Sequence, residues 1–108
     1  MIFRKWSGRI LTVQADEYVR YVEKTGGTHY LETEGNLGYQ ILVRDLDDGT
    51  SEVSTVSWWE DLDAVRRFAG DDYSVARYYP EDDKYLLERP ETVEHHDVRG
   101  SDLGRLRR

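Results

Sequence analysis

The side chains able to do chemistry in this 108-residue chain are few, and the three histidines come first. His95 stands out, because imidazole is the one side chain that changes charge near neutral pH without help from its surroundings. It could serve as a general base taking the proton of a phenol. It could equally be a histidine satisfied by a backbone carbonyl, with no chemical role. His96 must point the other way on a strand, so the two cannot share a pocket. His29 falls in a polar stretch read as a solvated loop. No H-x-H or H-E-x-x-H spacing occurs, and a histidine metal site is not expected. Cysteine is absent, which removes disulfides, thiolate catalysis and thiolate metal sites together.

The second group is aromatic. Aromatic side chains such as Trp6, Trp59, Phe68 and Tyr78 are of the type that buries a flat ligand, while a few polar groups such as Arg4 can orient one. The alternative is that the rings fill the core and Arg4 pairs with a surface carboxylate. Tyr73, Tyr78, Tyr79 and Tyr85 flank the acidic turn Pro80-Glu81-Asp82-Asp83. Their expected task is to pack beneath that turn and cap its carbonyls. The turn lacks the D-x-D-x-D-G pattern of a calcium loop.

The elements that position these residues follow from periodicity. Ile2 to Trp6 alternates as a strand that can stay extended to Leu11, with Ile2, Arg4 and Trp6 on one face. Thr12 is placed to cap a helix whose stripe is Ala15, Tyr18, Val19 and Val22. Gly26-Gly27 is expected to end it, with a loop over residues 28–36. Leu37–Leu46 and Ser51–Trp59 read as strands joined at Asp47-Asp48-Gly49, a sequence suited to the positive φ of a tight turn. Leu62, Val65, Phe68 and Ala69 form a second helical stripe, broken at Gly70. Asp71 or Asp72 is expected to restart a helix that carries Val75, Ala76 and Tyr79 and stops before Pro80. A short extended piece at Tyr85-Leu86-Leu87 precedes a last strand, Thr92–Val98, with Val93, His95 and Asp97 on one face. The order β-α-β-β-α-β is a ferredoxin-like α+β fold, a four-stranded antiparallel sheet with helices on one face. Too many apolar residues alternate on the strands for a wholly wet second face, so two sheets are expected to pack face to face across a two-fold axis.

The bulk numbers narrow the classes. The length suits one domain, assigned to residues 1–98. Residues 99–108 are read as a flexible basic tail containing Arg99, Arg105, Arg107 and Arg108. A net charge of -7 argues against binding a nucleic-acid backbone. With no long apolar run and no signal-like N-terminus, a cytoplasmic location is expected.

The stretch Ser57–Tyr85 carries a family resemblance. A strand ending S-x-W-E, a helix, then F-A-G-D-D and A-R-Y-Y-P-E-D resemble the antibiotic biosynthesis monooxygenase superfamily, small proteins of the dimeric α/β-barrel fold. The resemblance spans roughly residues 1–98. It implies a homodimer, and a pocket in each subunit between helices and sheet. Arg4, Trp6, Trp59, Phe68, Tyr78 and His95 are the candidates to line that pocket. It also implies an enzyme that oxidises a small aromatic substrate (quinol, phenolic or polyketide-like) with O2, using no metal or flavin. There the substrate, once deprotonated, is its own reductant, and His95 is the candidate catalytic base. A haem-degrading branch would need an asparagine on the first strand and a tryptophan and histidine later. Here the first strand has no asparagine, and the later positions fall on Phe68 and near Tyr78. A non-catalytic dimeric module that binds a small ligand is the remaining alternative.

Overall fold

The computed structural model describes residues 1–106, so Arg107 and Arg108 of the basic tail lie outside it. Alternating β-prone segments pair as the sequence predicts. β1 (Ile2–Leu11), β2 (Asn36–Asp45), β3 (Thr50–Trp59) and β4 (Glu94–Asp97) form one antiparallel sheet in the order β2-β3-β1-β4. β1 lies in the middle, pairing Arg4 with Ser57 on one side and with His95 on the other. The hairpin at Asp47-Asp48-Gly49 forms as expected, with Asp47 at φ 64° and Gly49 at φ 86°.

Cross-strand register assigns the two faces. Ile2, Arg4, Trp6 and Ile10 share theirs with Trp59, Ser57, Thr55 and Ser51. On that face two clusters form. Ile2 and Trp59 pack with Tyr30, Ala64, Val65 and Phe68. Ile10 and Val53 pack with Tyr18 and Val22. The helices that supply these partners are α1 (Ala15–Val22), α2 (Thr28–Glu32) and α3 (Leu62–Ala69). They cover this one face. The opposite face carries Phe3, Trp58, Leu42 and His96, with Phe3 edge-on to Trp58 at 5.4 Å and 48% of Leu42 exposed.

Several local expectations are corrected. Gly26-Gly27 does not end the first helix. Glu23–Gly27 forms a π-helical stretch that leads straight into α2, so much of the expected loop is helical. Gly27 has helical dihedrals (φ −57°, ψ −47°), and a Cβ there would sit 2.7 Å from Tyr39 Oη. Closeness of approach, not a left-handed cap, is what requires glycine here. Thr12 caps nothing: a 3-10 turn (Thr12–Gln14) precedes α1, and the Thr12 hydroxyl bonds Ser51 Oγ at 2.9 Å.

The helix expected over residues 71–80 is absent. That segment is held instead by strand-like bonds, Ala76 N–H to Glu91 O and Val93 N–H to Ser74 O. Asp72, Tyr73, Ser74 and Val75 are weak helix formers, so tertiary pairing prevails. Leu87 N–H bonds Arg9 O, tying the extended piece to β1, and the last strand is shorter than read. In the tail, Gly104–Leu106 makes a 3-10 turn. Among the described residues no helix is long and apolar enough to cross a membrane.

Candidate functional site

Between the helices and the sheet lies a cavity of about 50 Å³, part of an open pocket whose empty space, counted out into solvent, is about 480 Å³. β1 contributes Arg4 and Trp6, and β3 contributes Thr55. The helical layer adds Tyr18, Val22, Tyr30 and Phe68, with Gly26 and Thr25 from the π-helical stretch. The non-helical segment 71–80 closes the remaining side with Arg77, Tyr78 and Tyr79, and Asp82 and Val93 follow. The correction to that segment matters here. An irregular backbone lets three consecutive side chains reach one cavity, whereas successive residues of a helix spread around its axis.

Four of the six sequence candidates meet in this cavity: Arg4, Trp6, Phe68 and Tyr78. Trp6 Nε1–H donates to the Tyr78 hydroxyl at 3.1 Å, and that hydroxyl donates to Pro90 O. Phe68 is stacked on Tyr30 at 4.7 Å and packs against Trp59 at 5.4 Å. The other two lie elsewhere. Trp59 is fully buried in the core, with its indole N–H on Ser57 Oγ at 2.9 Å, and does not line the cavity. His95 sits beside Arg4 across the sheet and edge-on to Tyr73 at 5.1 Å, outside the lining. Burial, reinforced by the Arg4 and His96 charges, pushes its pKa down to about 4. Its Nε2 is buried without a partner. His29 is not the solvated loop residue of the sequence reading. It stands on α2, half-buried against Phe68 at 4.6 Å, with Nδ1 3.2 Å from the Tyr79 hydroxyl.

The charges in the cavity are unevenly answered. Asp82, in the acidic turn, is 5% exposed and accepts from the Tyr18 hydroxyl at 2.9 Å and Tyr79 N–H at 2.6 Å. Burial and the nearby Asp82 carboxylate push the Tyr18 phenol well above its ordinary pKa. Burial does the same to Tyr78 and Tyr79. Arg4 is 4% exposed, stands 5.2 Å from the centre of the Phe68 ring, and leaves Nε and Nη2 without acceptors. Burial lowers its pKa, opposed by the Tyr30 hydroxyl. Arg77 holds the exposed mouth, donating to Phe68 O at 2.7 Å and lying 5.9 Å from the Tyr79 ring centre.

Sequence reasoning missed Tyr18, Tyr30, Thr55, Arg77, Tyr79, Asp82 and Val93 as wall residues. Arg77, Tyr79 and Asp82 all fall inside the A-R-Y-Y-P-E-D run, which was the available signal. Tyr30 had none, because the segment that carries it reads as loop.

A putative antibiotic biosynthesis monooxygenase from Bacillus cereus superposes with TM-score 0.59 at 18% identity, covering 94% of each chain. The chain has the fold of the antibiotic biosynthesis monooxygenases. MhuD with two manganese protoporphyrin IX bound per active site superposes with TM-score 0.58 at 14% identity, covering 94% of this chain and 98% of that one. The heme-degrading protein Rv3592 from Mycobacterium tuberculosis gives TM-score 0.52 at 16% identity, covering 94% and 99%. No family model and no curated protein matches the sequence. The fold is therefore shared by monooxygenase-like and haem-degrading proteins.

The cavity residues do not fit a haem. No histidine lines the cavity. Iron ligation by tyrosine requires the phenolate, and burial disfavours that form at Tyr18, Tyr78 and Tyr79. The Tyr78 hydroxyl is already engaged by Trp6 and Pro90. Among the described residues no cluster of three metal-ligating side chains occurs.

Proposed function

We propose that this protein is a monooxygenase-like enzyme that binds a small phenolic or quinol-type substrate in the cavity between helices and sheet and oxidises it with O2, without a metal or flavin. The observation that carries this reading is the cavity wall itself. Trp6, Tyr30, Phe68 and Tyr78 offer flat faces, and Arg4, Thr25, Thr55, Arg77 and Asp82 set polar groups among them. The cavity is smaller than the void of about 150 Å³ that takes up benzene, so a single ring seated on Phe68 extends into the open part of the pocket, where the exposed Arg77 stands.

The balance of the reaction is simple for a phenol. One oxygen atom of O2 enters the ring carbon para to the hydroxyl, leaving a quinone. The other departs as water, together with the ring hydrogen and the hydroxyl proton. The substrate supplies every electron, so the protein's part is to exclude water, fix the ring and favour the ionised, electron-rich form. We assign His95 a place behind Arg4 and not the role of base. Its conjugate acid, at about 4, is too strong an acid to retain a phenol's proton, and it lies outside the cavity lining.

The small cavity volume favours one second reading, a module that binds a small ligand and does no chemistry on it. Oxygen uptake separates the two. An enzyme consumes O2 with a quinol at a rate unaffected by chelator and reduced in Phe68→Ala. Binding of the quinol, followed by quenching of tryptophan fluorescence, without O2 uptake above the quinol's own autoxidation would overturn the enzymatic reading. We also propose that two copies pair through the face bearing Phe3, Leu42 and Trp58, which no helix of the same chain covers.

A further inference from the structure

The feature that the proposed reaction leaves unexplained is the charge state of Arg4. Its side chain is 96% buried by difference from its 4% exposure, and it lines the cavity. Nε and Nη2 have no hydrogen-bond partner, and no carboxylate forms an ion pair with it among the described residues. A guanidinium does not escape this by losing its proton. The Tyr30 hydroxyl answers the charge only in part. Arg77 adds a second positive charge from the mouth, and the cross-strand neighbour His95 also leaves Nε2 unanswered. The one carboxylate of the cavity, Asp82, is committed to the Tyr18 hydroxyl and the Tyr79 N–H. Buried polar groups are nearly always paired, and a buried cation without a partner is the costliest exception.

We propose that the missing partner is the ligand: the cavity takes an aromatic oxyanion, a phenolate or a carboxylate attached to a single ring, with its charged oxygen on Arg4 and its ring against Phe68. Arg77 at the mouth adds attraction and draws the anion in. This rests on the small-aromatic reading above and narrows it to molecules that bind as anions. For a phenol it also removes the need for a protein base. The cavity binds the ionised form preferentially, the proton passes to bulk water, and the bound ring is already electron-rich.

The test uses para-nitrophenol, whose ionised form is yellow, and para-nitroanisole, the same ring with no proton to lose. The whole protein is titrated with each, at about millimolar dye and low salt, across the pH range in which the free dye ionises. The expected result is that the bound phenol ionises at a pH lower by about one unit, that is, its anion binds about tenfold or more tighter than its neutral form. Nitroanisole binds no tighter than the neutral phenol. Arg4→Met abolishes the shift, and Arg4→Lys, which keeps the charge but loses the planar fork, retains part of it. Benzoate is expected to compete with the dye, and benzamide to compete at least about tenfold less well.

Equal binding of nitrophenol and nitroanisole with no shift overturns the anion inference and leaves the aromatic-ligand reading standing. An unchanged shift in Arg4→Met assigns the anion to another group and also overturns it. Failure of both dyes, of benzoate and of benzamide to bind overturns the inference and the ligand reading together. If Arg4→Met does not fold, loss of half or more of the shift in Arg77→Gln supports the inference, and an undiminished shift there overturns it.

Discussion

Arg4 also makes a prediction about stability that runs against the usual direction for a buried side chain. Replacing Arg4 by Met keeps an unbranched apolar stem of similar reach beside Phe68 and removes the charge. Desolvating an ion inside a protein costs several kcal/mol after relaxation. Here burial is almost complete, and Nε and Nη2 recover none of that cost through protein acceptors. What the substitution loses is the cation–π contact with Phe68 at 5.2 Å, worth about 1–2 kcal/mol, and the favourable influence of the Tyr30 hydroxyl. The balance predicts a ligand-free Arg4→Met protein more stable by about 1–3 kcal/mol. For a chain of this length that raises Tm by about 4–12 °C. The assay is urea unfolding followed by tryptophan fluorescence, with thermal scans at the same protein concentration, since any dimer makes Tm concentration-dependent. A variant destabilised by about 2 kcal/mol or more, with an unchanged m-value, would refute the reasoning, because Arg4 would then be satisfied in the empty protein. The same substitution is expected to abolish anion binding, so stability and binding should move in opposite directions.

Three further outcomes follow. His95 ionises near 6.5 in the unfolded chain and near 4 in the folded one. The unfolded chain therefore binds more protons between those values, and stability should fall as pH drops from 6.5 to 4 and owe nothing to this group above it. The full shift corresponds to about 3 kcal/mol, reduced by partial solvent access to about 1–2 kcal/mol. His95→Asn should flatten that part of the stability-pH curve, and an unaltered slope would assign it to other groups. Gly27→Ala gains about 1 kcal/mol of helix propensity but drives a Cβ to 2.7 Å from Tyr39 Oη. A net loss of about 1–2 kcal/mol is expected, mostly recovered in Gly27→Ala/Tyr39→Phe; a neutral single variant would show that the hydroxyl moves aside freely. Phe3→Glu, on the helix-free face, should convert the proposed dimer to monomer in sedimentation with Tm changed only through lost association, and a monomeric parent protein would refute the pairing.

Some of this molecule was legible from one dimension. Strand alternation and the Asp47-Asp48-Gly49 turn are local properties, set by side-chain period and by which residues accept positive φ. They were enough to give the sheet, its helix-facing side and the βαββαβ order. Period two puts Arg4 and Trp6 on one face of their strand, and helical spacing puts Phe68 on a stripe with Leu62 and Val65; that these residues line a pocket came from the family resemblance.

Tertiary structure decided what local preference left balanced. Gly26-Gly27 has the composition of a helix end, yet the chain runs on as a π-helical stretch, with Gly27 in helical dihedrals and Tyr39 in the space a side chain would need. Residues 71–80 have apolar positions at helical spacing, but their backbone groups are taken by residues 91–93. That choice alone brings Arg77, Tyr78 and Tyr79 to one cavity. The sequence likewise offers Asp82 as one acid among several, and only packing buries it under Tyr18. Charge balance is the clearest case. Composition says that the chain is acidic, with 22 acidic residues against 15 basic ones. Only the folded arrangement leaves the guanidinium of Arg4 inside with no ion pair to a carboxylate among the described residues, because pairing is a matter of distance and not of count.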